Sequence, residues 1–265
     1  VDARRLEPLG AEVTGLDVGP LTPDDVIALR DLLAEHGVVV LRDQVDVDDD
    51  DFTAFLRSMG DLAFTTGETP LEGHPDLNLI SNVGRDTPPR SNFHVDTGYV
   101  ARPPAYTALR AVEIPSQGGH TLFSNQFRAH DTLPDDLRAR VEGRTLRHVV
   151  TGLELGPDDE AAADHPVLRP HPVSGRVALY LDAPKRCAAI SGMDDDEAGA
   201  TITALLEHST RDDNVLRHTW RPGDVVIWDN GAVLHKADHA GVVGDRVMHR
   251  GMVATYPGPD RSERR

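Results

Sequence analysis

Asn92-Phe93-His94-Val95-Asp96-Thr97 is the stretch from which the rest of the chain can be read. On an extended strand His94 and Asp96, two apart, project to the same face. One imidazole beside one carboxylate supplies two ligands of a 2-His-1-carboxylate facial triad, the donor set of non-haem Fe(II) oxygenases. A second histidine must then arrive from elsewhere in the fold. His235, downstream of Trp228-Asp229-Asn230, is the candidate, and His239 competes for the place. A lone His-x-Asp is frequent on protein surfaces, so the remaining sequence has to supply the rest of the chemistry.

The composition leaves room for it. At 265 residues, 39% hydrophobic and 27% charged, the chain suits one large domain over 1–265. No apolar run approaches the roughly 18 residues of a membrane span. Val1-Asp2-Ala3-Arg4-Arg5 lacks the apolar core of a signal peptide. The single cysteine, Cys187, rules out an intrachain disulfide framework, reads as a small buried hydrophobe and fits a reducing cytoplasm. A net charge of −17 argues against nucleic-acid or anionic-membrane partners. The acidic runs Asp46–Asp51 and Asp194–Glu197 each precede a helical pattern and read as helix N-termini, not calcium loops. A small molecule and further copies of the chain are the expected partners.

Residues 1–60 read as mixed α and β. Thr22-Pro23-Asp24-Asp25 opens a helix ended by Gly37, Val38–Leu41 follows as a buried strand, and Phe52, Phe55, Leu56 and Met59 line a second helix. Beyond them the chain is mostly short strands: 77–81, 106–112, 121–124, 146–151, a hairpin about Ser174-Gly175, then 217–220, 224–228 and 247–255. Residues 133–137 and 202–208 interrupt as helices. The aperiodic acidic stretch 152–166 is the expected lid, and 257–265 a frayed tail. This pattern predicts a mainly β fold with helices (α+β), a sandwich or jelly roll with helical decoration.

Several motifs in order resemble the taurine catabolism dioxygenase family of Fe(II)- and 2-oxoglutarate-dependent oxygenases, over nearly the whole chain. They are Gly37–Gln44, Phe93–Asp96, Pro115–Leu122 with its Gly118-Gly119 pair, His171–Gly175, Trp228-Asp229-Asn230, His235 and Arg246–Arg250. The resemblance implies a cupin-like double-stranded β-helix and a dioxygenase, with iron held by His94, Asp96 and His235. It implies that Arg246 and Thr121 bind the far carboxylate of 2-oxoglutarate, while Arg250 points toward the substrate or the metal-proximal end. The residues agree: three protein ligands leave positions on Fe(II) for a 2-oxo acid and O2, and Arg suits a buried carboxylate. Succinate and CO2 are the expected co-products. Asp96 disfavours halogenation; desaturation and oxidative decarboxylation stay open beside hydroxylation. So do two other classes, a non-catalytic metal-binding protein and a Zn or Mn hydrolase.

The resemblance thins at the substrate. Leu62-Ala63-Phe64-Thr65-Thr66-Gly67-Glu68 lacks the His and Tyr that hold the sulfonate and substrate body in the resembled enzyme, and Arg90 stands in place of an Asn. A small anionic substrate other than taurine is expected, with Arg250, Arg90, Asn92, Tyr99 and Phe64 around it. His148, His165, His171 and His218 read as structural.

Overall fold

The computed structural model describes residues 1–66, 68–85 and 91–257. The run Val38–Leu41 explains the architecture, because it is buried on both faces. Val38 and Val40 pack with Val226, Trp228, Leu109 and Met248 against Phe123 and Val233. Val39 and Leu41, pointing the other way, join Val225 and Ile227 under Leu29, Leu33, Phe52, Phe55 and Leu56. Period-two alternation thus gives one sheet two cores, a second sheet on one side and two helices on the other.

The large sheet runs Asp2–Arg5, Ala11–Thr14, Val38–Leu41, Val225–Asp229, Tyr106–Glu113, Val247–Val253, His74–Ser81 and Pro70–Leu71, with Leu62–Ala63 also paired to Val247–Val253. Its pairs are antiparallel except Ala11–Thr14 with Val38–Leu41. The facing sheet is Val215–His218, Thr121–Asn125 and Val233–Ala237. A third core gathers Val95, Leu146, Val167, Leu179, Tyr180 and Cys187 under the helix Asp195–Ser209. This is a double-stranded β-helix core with helical decoration.

The helices Pro23–His36, Asp49–Met59 and Asp195–Ser209 start where their caps say. Thr22, Asp48 and Asp194 each accept a backbone N–H from three residues on, so both acidic runs are helix N-termini. No described helix is long and apolar enough to cross a membrane.

Four expectations need correction. His94 makes only an isolated bridge and Asp96 opens a turn, so the two do not share a regular strand. Thr97 sits at φ 51°, a left-handed conformation that turns the chain back. The strand Val233–Ala237 and the helix Gln126–Asp131 were not anticipated. The expected lid 152–166 is irregular only as far as 161, because Ala162–Pro166 pairs with Thr145–Val149. Of the expected tail, only Pro257 is among the described residues.

Candidate active site

His94 and His235 are joined through their backbones. Each donates its N–H to the other's carbonyl at 3.0 Å, hooking the His94 segment onto the edge of the Val233–Ala237 strand. The His94 Nδ1 lies 2.8 Å from the Asn92 carbonyl, an acceptor only, so Nδ1 carries the proton and Nε2 is left as a ligand. The Nε2 atoms of His94 and His235 each stand 3.7 Å from a different oxygen of Asp96. All three donor atoms lie within 4.8 Å of one another. Three donors gathered this closely can converge on one ion, and imidazole–imidazole–carboxylate suits Fe(II). The donor set therefore fits the metal.

The carboxylate is held from behind. Thr107, fully buried, donates its hydroxyl to Asp96 Oδ2 at 2.7 Å. Asn230 donates to Thr107 Oγ1 at 2.9 Å and accepts the Trp228 indole N–H at 3.1 Å. Trp228 in turn packs on the His235 ring, centroids 4.6 Å apart. Two members of the Trp-Asp-Asn motif thus brace two of the three donors. Its Asp229 accepts the Nε2–H of buried His171 at 2.9 Å and the Tyr256 hydroxyl at 2.8 Å. His171 Nδ1 accepts the Ser174 N–H, which makes the ring a neutral structural tautomer.

Electrostatics puts Asp96 and His235 in binding form. Burial alone would raise the Asp96 carboxyl, but His235, Arg250, His94 and the Thr107 bond hold it well below the usual carboxylate range. Burial lowers His235 to about 3, and the opposing pull of Asp96 does not reverse it. An ionised carboxylate and a neutral imidazole are what a metal requires.

Beside the donors stands a buried cation. Arg246 is 3% exposed, and burial lowers its pKa to about 10. Its Nε donates to the Gly119 carbonyl at 3.0 Å and its Nη2 lies 3.4 Å from Thr121 Oγ1, which also accepts the Trp220 indole N–H at 3.1 Å. Gly119 is required here: it sits at φ +73°, and a Cβ would meet Pro115 Cγ at 2.7 Å and Arg246 Cδ at 3.2 Å. Among the described residues Arg246 has no carboxylate partner. A buried guanidinium without a counter-charge is costly unless a ligand anion completes it, so the pocket fits a 2-oxo dicarboxylate.

Arg250, inside the Val247–Val253 strand that Arg246 just precedes, has different company. Its Nη2 touches Glu68 Oε2 and lies 3.3 Å from Asn78 Oδ1, while Nη1 is 3.7 Å from Asp96 Oδ1. Tyr99 is buried nearby; burial and the Glu68 carboxylate push its phenol up. Phe64 is half-buried just past the Leu62–Ala63 strand. The Asn92 residue is exposed, and it is the carbonyl that contacts His94. Arg90 lies outside the described residues. His239 lines a small cavity with Asn82, Arg85 and Val242 and is not part of the three-donor cluster. Thr107, Trp220 and Glu68 escaped the sequence reading, since nothing local marks them.

Residues 2–252 match the taurine catabolism dioxygenase TauD, TfdA family. The chain belongs to that family. It is 30% identical to the alpha-ketoglutarate-dependent 2,4-dichlorophenoxyacetate dioxygenase of Cupriavidus pinatubonensis, over 94% of this chain and 96% of that one. It is 29% identical to pentalenolactone F synthase of Streptomyces avermitilis, over 95% and 92%. Among solved structures, a putative alpha-ketoglutarate-dependent taurine dioxygenase from Burkholderia xenovorans superposes with TM-score 0.83 at 30% identity, covering 98% of this chain and 96% of that one. A structure titled AAD-2 in complex with Mn(II) and N-oxalylglycine gives 0.79 at 26%, covering 98% of each. The protein is an Fe(II)- and 2-oxoglutarate-dependent dioxygenase acting on a small molecule. The hydrolase and non-catalytic readings fall with that membership.

Proposed function

We propose that this dioxygenase hydroxylates an unactivated C–H bond of a small molecule whose anionic group is held by Arg250. In this reading His94, Asp96 and His235 hold Fe(II), and Arg246 with Thr121 holds the far carboxylate of 2-oxoglutarate. The bound iron supplies O2 activation coupled to decarboxylation of 2-oxoglutarate to succinate. The protein's own part is geometric. Thr107 keeps Asp96 aimed, Asn92 fixes the His94 tautomer, and Arg250 orients the substrate.

The observation that carries this reading is the 3.7 Å between Arg250 Nη1 and Asp96 Oδ1. An anion gripped by Arg250 is thereby placed beside the donor cluster. Relatives named for acting on 2,4-dichlorophenoxyacetate, on (S)-phenoxypropionate and on sulfate esters support an anionic class. The segment Leu62–Glu68 carries neither the expected His nor Tyr, which supports a substrate other than taurine. Glu160 accepts the Ala101 N–H at 2.7 Å, tying the proposed lid to the chain just after the metal turn. The reading includes a cytoplasmic homo-oligomer working free of nucleic acid and membrane, in keeping with the −17 charge.

The test is anaerobic addition of Fe(II) and 2-oxoglutarate, followed by a panel of taurine, alkylsulfonates, aryloxyacetates, amino acids and acyl carboxylates scored by succinate release coupled to O2 uptake. A weak visible charge-transfer band and coupled turnover with an anionic compound are expected. Robust turnover with taurine, or a neutral preferred substrate indifferent to Arg250→Ala, would overturn the substrate reading.

A further inference from the structure

Arg250 is not a vacant cation waiting for an anion. Glu68 touches its Nη2, and the contact is built into the fold. The Glu68 N–H donates to the Thr65 carbonyl at 3.2 Å, and the Thr65 hydroxyl, 6% exposed, is 3.2 Å from that of Thr97 in the metal turn. The segment that brings Glu68 in is thus pinned to the metal site itself. Burial, with Asp96 adding to it, raises the Glu68 carboxyl pKa against the pull of Arg250. That carboxylate depends on a cation beside it.

We propose that Glu68 and Arg250 form a two-charge substrate subsite, and that the substrate is a small zwitterion resembling an α-amino acid, its ammonium on Glu68 and its carboxylate on Arg250. This rests on the reading of Arg250 as the substrate's anion site. A plain anion reaching Arg250 must break the existing pair and leave the part-buried Glu68 without a counter-charge, which is unfavourable. A plain cation reaching Glu68 breaks the same pair. A zwitterion replaces one ion pair by two and strands neither side chain. Because Glu68 and Arg250 are in direct contact, a molecule with both charges on one carbon separates them least. The pair also biases selection, since a plain anion must displace Glu68 before it meets Arg250.

The experiment uses the anaerobic enzyme loaded with Fe(II) and 2-oxoglutarate and titrated by calorimetry with matched compounds: 2-aminohexanoate against hexanoate, and phenylalanine against 3-phenylpropanoate. Each amino form is expected to bind wild type on the order of ten- to a hundredfold more tightly than its partner, the scale of one charged hydrogen bond. Glu68→Gln should erase or invert that preference, while Glu68→Asp, which keeps the charge, should keep its sign and control for folding. The proposal is overturned if the des-amino compounds bind wild type equally well, if neither amino acid binds, or if Glu68→Gln keeps the preference. The underlying reading fails separately. It is lost if no charge-transfer band forms with 2-oxoglutarate before any substrate is added, or if an anion is turned over without regard to Arg250→Ala.

Discussion

Arg246 and Arg250 bracket the same short stretch of backbone, four residues apart, and differ in almost everything but their charge. Arg246 is buried against Gly119, Thr121 and Trp220 and, among the described residues, meets no carboxylate. Arg250 meets two, Glu68 and Asp96. The first has no counter-charge among the described residues; the second has two carboxylates beside it. A guanidinium at a site therefore does not by itself announce an anion. Its partners decide whether binding adds a charge or exchanges one.

Removing what both halves share should have the largest effect. His94→Ala, Asp96→Ala or His235→Ala is expected to abolish substrate oxidation and greatly weaken Fe(II) binding in a protein that stays folded by circular dichroism. Full activity in His235→Ala, with loss in His239→Ala, would move the third donor and redraw the comparison. Next comes a crossed pair of variants. Arg246→Ala should weaken 2-oxoglutarate by on the order of ten- to a hundredfold, about 1.5–3 kcal/mol for a lost charged hydrogen bond, and Thr121→Val by less. Arg250→Ala should instead raise the KM for the substrate while 2-oxoglutarate saturation moves little. Equal effects of both variants on 2-oxoglutarate would erase the distinction between the two cations.

The smallest effect is expected behind the metal. Thr107→Val removes one donor to Asp96 and leaves the Asn230 amide short of an acceptor. A loss of about tenfold in Fe(II) affinity is expected, at the low end for such supporting residues. Measured Fe(II) binding equal to wild type would mean that Asp96 is positioned without help.

The donor residues could be read from the sequence because their chemistry is local. A His-x-Asp, a Trp-Asp-Asn before a His and two spaced arginines each state a requirement within a few residues. The conformation of the first motif could not be read, since Thr97 adopts a left-handed turn that costs about 1–2 kcal/mol for a non-glycine residue and leaves no compositional trace. Nor could Val233–Ala237, the strand that carries His235: Val233, Leu234 and His235 are buried in succession, so no alternation marks it. The partnerships of Thr107 with Asp96 and Glu68 with Arg250 lie still further out of reach. They join residues 11 and 182 positions apart that only the folded chain brings together. Of the segment Leu62–Glu68, the sequence reading registered the residues that were missing and passed over the carboxylate that was present.

The paired backbones of His94 and His235 bear on how the protein handles losing its metal. Bringing two distant chain segments together carries a loop-closure entropy that a metal must otherwise overcome on binding. Here strand pairing has already met that requirement, with two reciprocal hydrogen bonds at 3.0 Å. Iron should therefore come and go from a chelate whose jaws stay in register, and amide exchange at His94 and His235 should be slow in the metal-free and metal-loaded protein alike. Exchange of one divalent ion for another becomes a matter of ligand replacement, with no refolding step between them.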